Sequence, residues 1–239
     1  MSMLLQRQAD LLRHLTSAGV IFGDAAECDA APPGLDRAML RLEAVFSHEK
    51  RMEKVAAVYP RTLKLLGDRQ AAIIHAFTAA YPPAGISRLD NAVQFFEFLL
   101  SLWQREPPQP EHLRDVAACE CAFAQARVGE GTPAPASVPD ETPAVRRHPQ
   151  AVLERCRHDV RPVFEGADIA APVVRREIRL AIAVPPGAEH PQVFELPPAV
   201  FDLVETLTDW TDRRAFGAAP EMDALFDALA QHGVLEARP

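Results

Sequence analysis

The stretch Gly129-Glu130-Gly131-Thr132-Pro133-Ala134-Pro135-Ala136-Ser137-Val138-Pro139-Asp140-Glu141-Thr142-Pro143-Ala144-Val145 holds four prolines and no apolar periodicity. Proline fixes φ and removes a backbone donor, so such a run builds neither a helix interior nor a central strand. Residues 129–145 therefore read as an extended, semi-rigid, Pro-rich linker. It separates residues 1–128 from residues 146–239, and the two sides carry different hydrophobic periods.

On the N-terminal side the period is that of a helix. Leu35, Met39, Leu42 and Phe46 recur at i, i+4, i+7 and i+11, which lines one helical face. Pro60 ends or kinks the continuation. Asp68 is placed to cap a helix carrying Ile73, Ile74, Phe77 and Tyr81, which Pro82 and Pro83 stop. Leu89, Val93, Phe96, Leu100 and Trp103 form the clearest stripe, ended by Pro107 and Pro108, and Leu113, Val116, Cys121 and Ala124 indicate one more helix. Residues 1–128 are expected to be a bundle of about five helices.

After the linker the period falls to 2. Ile178, Leu180, Ile182 and Val184 alternate with Glu177, Arg179, Ala181 and Ala183, as in a half-buried strand. Pro185-Pro186-Gly187 turns the chain, Val193 to Leu196 forms a returning strand, and Asp159 to Phe164 is a weaker strand candidate. Two helices follow, one with Val200, Leu203, Val204, Leu207 and Trp210, the other with Met222, Leu225, Phe226 and Leu229. Pro220-Glu221 suits the start of the second and Gly233 its C-terminal cap. The expected fold class is mainly α with an α+β C-terminal part: a helical bundle joined by the linker to a small winged-helix-like domain.

The chain has 239 residues, 48% hydrophobic and 24% charged, which allows two modest cores. A net charge of -8 works against phosphate backbones and anionic lipid. Polar residues interrupt Met1 to Leu15, and no later apolar run is long enough to span a bilayer. A cytoplasmic protein with no membrane and no nucleic-acid partner is expected. The four cysteines, Cys28, Cys119, Cys121 and Cys156, are irregularly spaced and read as reduced.

Catalytic signatures fail one by one. His48-Glu49 opens like a zincin motif, but the position one turn later is Met52. Cys119 and Cys121, two apart on a helix, point to nearly opposite sides and cannot share an ion. No phosphate-binding glycine loop or Gly-x-Ser-x-Gly elbow occurs, and no carboxylate pair is singled out as acid and base. No catalytic, cofactor or metal residue is assigned, and binding is the expected activity.

Two segments carry the binding expectations. Gln192, Val193, Phe194 and Glu195 are a candidate strand edge for an extended peptide, the alternative being an ordinary interior strand. His48, Arg51, Tyr59 and Arg61 gather around Pro60, either as a partner interface or as caps for backbone groups freed near the proline. DNA binding through the winged-helix-like part is the other function considered. Residues 146–239 oppose it with 11 arginines against 15 acidic residues, many of the latter on the closing helices.

Phe46 with His48 and Arg51, Tyr59-Pro60-Arg61-Thr62-Leu63 leading to Leu65-Leu66-Gly67, Tyr81-Pro82-Pro83, Phe95 to Leu99, and Asp115-Val116-Ala117-Ala118-Cys119-Glu120 form a loose pattern. It resembles the partner proteins of multinuclear non-haem iron enzymes that modify ribosomally made peptides, a group including those of methanobactin and 3-thiaglutamate biosynthesis. Related families, once labelled DNA-binding, commonly carry Leu-Glu-Trp where this chain has Cys119-Glu120-Cys121. The resemblance implies a non-catalytic subunit in a heterodimer. Its helical domain would dock on the iron enzyme, and its C-terminal part would hold a precursor or carrier peptide whose cysteine is modified. The iron would belong to the partner enzyme.

Overall fold

A computed structural model describes residues 3–128, 142–166, 168–169, 171–217 and 219–238. The chain divides into two compact units, residues 1–109 and 110–239.

In the first unit, α1 (Met3–Leu15), α2 (Ala18–Phe22), α3 (Ala25–Asp29), α4 (Arg37–Val58), α5 (Pro60–Leu66), α6 (Gln70–Ala80) and α7 (Arg88–Arg105) follow one another. Side-chain caps set most starts. Ser17, Asp24, Asp36 and Ser87 each accept a hydrogen bond from a first-turn N–H of α2, α3, α4 and α7. Pro60 stands in the first turn of α5, where its missing donor is harmless, so it starts a helix rather than kinking one. Asp68 does not cap α6: it lies in a 3-10 turn, Gly67–Arg69, and α6 begins at Gln70 without a side-chain cap.

The core is aromatic. Phe77 meets Phe95 edge-on at 5.1 Å and Phe98 at 5.5 Å, and Tyr59 lies 5.3 Å from Phe95. Such pairs add about 0.5–1.5 kcal/mol each beyond their burial. Leu89 and Trp103 are buried as the stripe on α7 requires, but the deepest face is that of Ala92, Phe95 and Leu99, with Val93, Phe96 and Leu100 only half-buried. Leu35 precedes α4, and the rest of its stripe is helical yet faces outward. Leu35, Met39, Leu42 and Phe46 are 44–61% exposed, while Ala44, Arg51, Val55 and Val58 bury the opposite face. No helix among the described residues is long and apolar enough to cross a membrane.

The second unit contains α8 (Leu113–Val128), β1 (Ala144–Arg147), β2 (Val152–Cys156), α9 (Arg161–Phe164), β3 (Ile178–Ala183), β4 (Gln192–Glu195), α10 (Pro198–Thr206), β5 (Thr211–Asp212), α11 (Pro220–Gln231) and β6 (Leu235–Arg238). The sequence pattern groups residues 113–128 with the N-terminal helices, whereas α8 packs on β2 and β3. Most of the Pro-rich linker, residues 129–141, lies outside the described residues, and Ala144 and Val145, assigned to that linker, open β1 in full burial.

Two small antiparallel sheets form, in the orders β5-β1-β6 and β2-β3-β4. β3 is buried on both faces rather than one. Ala181 and Ala183 join Phe201, Val204, Phe226 and Leu229 of α10 and α11, while Ile178 opposes Cys156, whose thiol meets Cys119 on α8. The alternation of large and small apolar groups, not of apolar and polar, therefore fits β3 between two layers.

Two further expectations are corrected. Asp159 to Phe164 is not a strand: Pro162 stands in the first turn of the short helix α9. Trp210 is not on the helix of Val200, because α10 ends at Thr206; the guanidinium groups of Arg146 and Arg238 lie 4.7 and 4.1 Å from its ring. Gly233 follows α11 with φ 71°, and a Cβ there would collide with the Val184 carbonyl.

Candidate functional site

In the order β2-β3-β4, β4 stands at the end of its sheet. Leu180 faces Glu195, Ala181 faces Phe194, Ile182 faces Val193 and Ala183 faces Gln192. The next pair in this register is Arg179 with Leu196, and the Leu196 N–H donates to the Arg179 carbonyl at 2.8 Å. Hydrogen-bonded and non-bonded pairs alternate along an antiparallel ladder. Gln192 and Phe194 thus bond to β3, and the N–H and C=O groups of Val193 and Glu195 turn to the open side.

Side chains divide this strand by face. Phe194 rests against the core of α10 and α11 and lies 4.6 Å from the His232 ring. Glu195, on the other face, joins Asp159, Arg161 and Arg176 in a four-member ion network with contacts of 2.6–2.8 Å. The Arg161 guanidinium, helped by Arg176, holds the Asp159 carboxylate far below its ordinary range against the opposing effect of burial. The Arg176 hydrogen bond likewise lowers Glu195. These charges stay ionised at physiological pH, so they fix the β4 end rather than act as acids or bases.

The four residues near Pro60 separate. Arg51 is buried: its Nε donates to Asn91 Oδ1 at 2.9 Å, and its terminal nitrogens donate to the Tyr81 carbonyl and Gln94 Oε1 at 2.8 and 3.1 Å. Tyr81 precedes Pro82, and the guanidinium satisfies its carbonyl beside that break. Arg51 also lies 4.3 Å from the Phe77 ring, and burial lowers its pKa to about 10. Tyr59 is fully buried and its hydroxyl donates to the Ala92 carbonyl at 2.7 Å. Both act as core braces. His48 is half-buried, with its ring 5.5 Å from Phe22; burial, then the Arg51 charge, lowers its pKa. Arg61 is also half-buried.

A polar knot in the second unit escapes sequence reading. Asp115 on α8 accepts the backbone N–H groups of Arg157 and His158 at 3.1 and 3.0 Å, and its Oδ2 lies 2.8 Å from His158 Nδ1. It ties α8 to the segment after β2. Glu154 nearby has its pKa pushed up to about 7, by burial first and then by the Asp115 charge. The Cys119 and Cys156 thiols touch at 3.9 Å without a disulfide, and that contact together with burial raises Cys119 well above the ordinary thiol range. Among the described residues no three His, Cys, Asp or Glu side chains gather as a metal site needs. Asp115 and His158 lie 43 positions apart, a separation without local signal.

No curated protein matches the chain. A family model described as SCO6045-like, C-terminal domain, matches residues 5–101, less than half of the chain and all of it within the first unit. The N-terminal helical unit is thus similar to the SCO6045-like C-terminal domain, which here stands ahead of a mixed α and β unit.

Proposed function

We propose that the chain is a non-catalytic partner subunit that holds a ribosomally made precursor or carrier peptide and presents its cysteine to a separate iron-dependent oxidative enzyme. The observation that carries this reading is the end position of β4, with the backbone groups of Val193 and Glu195 turned outward. An extended peptide adding there gains main-chain hydrogen bonds, while its alternate side chains meet Phe194 and His232 on one face and the Arg176 network on the other. The match over residues 5–101 supports it too, since that family is associated with such partner proteins.

In this reading the second unit is a winged-helix-like peptide-recognition domain, the protein is cytoplasmic, and the iron resides in the partner of a heterodimer. Docking falls to the first unit. His48 and Arg61, both half-buried, are assigned to it, whereas Arg51 and Tyr59 serve the core, and the outward stripe of Met39, Leu42 and Phe46 offers apolar surface. DNA binding is disfavoured by Asp202, Glu205, Asp223 and Asp227 on α10 and α11, which would repel phosphate.

The test is co-purification of the tagged chain, expressed with the products of its neighbouring genes, followed by mass spectrometry and iron analysis. An iron-containing partner at near-equal stoichiometry is expected. A lone, metal-free chain that shifts DNA would overturn the reading.

A further inference from the structure

Helix α1 carries Arg7 and His14 seven residues apart, two turns along one face, and both line a cavity of 830 Å³ in the first unit. That volume falls within the range of small-molecule sites, about 300–1,000 Å³. Leu11, Val20, Pro32, Pro33 and Leu35 supply apolar wall. The lining carboxylates are already engaged, Asp10 by Arg13 at 2.7 Å and Glu27 by the Ser17 hydroxyl. Arg7 and His14 are not: among the described residues no hydrogen bond or ion pair reaches either side chain. His14 is only 9% exposed as a residue and lines the cavity, and its ring nitrogens are not among the fully buried atoms without a partner, so they stay open to a ligand acceptor there.

We propose that this cavity binds an apolar group ending in a carboxylate. The Arg7 guanidinium faces the negative charge, an imidazole N–H of His14 donates to a carboxylate oxygen, and the apolar portion lies along the proline and leucine wall. A peptide C-terminus with apolar last residues and a free medium-chain acid share this chemistry. The site is separate from β4, so it stands or falls independently of the peptide-strand reading.

Calorimetric titration of the full chain with octanoate and with acetyl-leucyl-leucine tests it, each acid compared with its neutral counterpart, octanol or the dipeptide amide. At least one acid is expected to bind about tenfold more tightly than its counterpart, and the better of the two acids identifies the source. Arg7 is exposed, so Arg7→Gln should keep the melting temperature and abolish the preference for the acid. Ala31→Trp, which fills the cavity from its wall, should abolish binding of acid and neutral form alike. Absence of binding by both acids, equal binding of acid and neutral form, or an acid preference that survives Arg7→Gln would each overturn the proposal.

Discussion

In the N-terminal unit the groups that interrupt the apolar pattern, Arg51 and Tyr59, lie inside the core with their donors satisfied, while the apolar stripe of Met39, Leu42 and Phe46 faces out. In the C-terminal unit the apolar groups of β3 are buried on both faces, and backbone groups of β4 are the ones left toward solvent. The contrast teaches that periodicity locates a helix face without saying which face is buried. α4 has apolar residues on two opposite sides, and only the packing of its neighbours chooses between them.

Substitutions that exchange the roles of the two regions sharpen this contrast, and the largest effect belongs to the core brace. Tyr59→Ala removes a fully buried ring and the hydroxyl's bond to the Ala92 carbonyl, and should cost about 4 kcal/mol in urea unfolding. A loss below about 1 kcal/mol would return Tyr59 to the surface.

Glu154 comes next. Its folded pKa of about 7 exceeds the ordinary 4.5, so the unfolded chain ionises first as pH rises. The native protein should therefore lose stability between about pH 4.5 and 7 and hold level above. Glu154→Gln should be as stable as the parent near pH 4 and about 2 kcal/mol more stable at pH 8. Parallel stability curves for the two proteins across this range would show that Glu154 is not buried.

Val193→Pro removes an outward N–H and leaves the β3 ladder intact, so it should weaken carrier-peptide binding about tenfold, near 1.4 kcal/mol, and leave the helical unit folded. Unchanged affinity by fluorescence anisotropy would take the strand out of the account. The smallest effect is Phe46→Ser. On an exposed helix face it should change unfolding by less than about 0.5 kcal/mol, against the 4 expected at Tyr59.

The helical and mixed halves were legible because the period changes from 3.6 to 2 and prolines punctuate it. The ends of α4, α6, α7 and α11 followed from Pro60, Pro82, Pro107 and Gly233, which act within a few residues, whereas the caps Asp36 and Ser87 were not read and Asp68, which was, caps no helix. The returning strand read as Val193 to Leu196 falls one residue from β4, Gln192–Glu195, and of the two placements left open for it, sheet edge or interior, β4 takes the end of its three-stranded sheet. Other features left no local trace. β1, β5 and β6 are two to four residues long and pair across 60 positions or more, and α2 and α3 are too short for a period to show. For His48, Arg51, Tyr59 and Arg61 the sequence left a partner interface and a structural role near Pro60 equally open, because neighbours in sequence need not share a role. His48 and Arg51 are neighbours on α4, Tyr59 stands between α4 and α5, Arg61 lies on α5, and the partners of Arg51 lie 30 to 43 positions away.

Amide hydrogen exchange at β4, resolved residue by residue with and without the proposed precursor peptide, tests the central claim most directly. Val193 and Glu195 should exchange rapidly in the free protein and become protected on peptide addition, while Phe194, already bonded to β3, is protected in both states. Equal exchange at Val193 and Glu195 in the two states, with the peptide demonstrably bound, would contradict strand addition at β4.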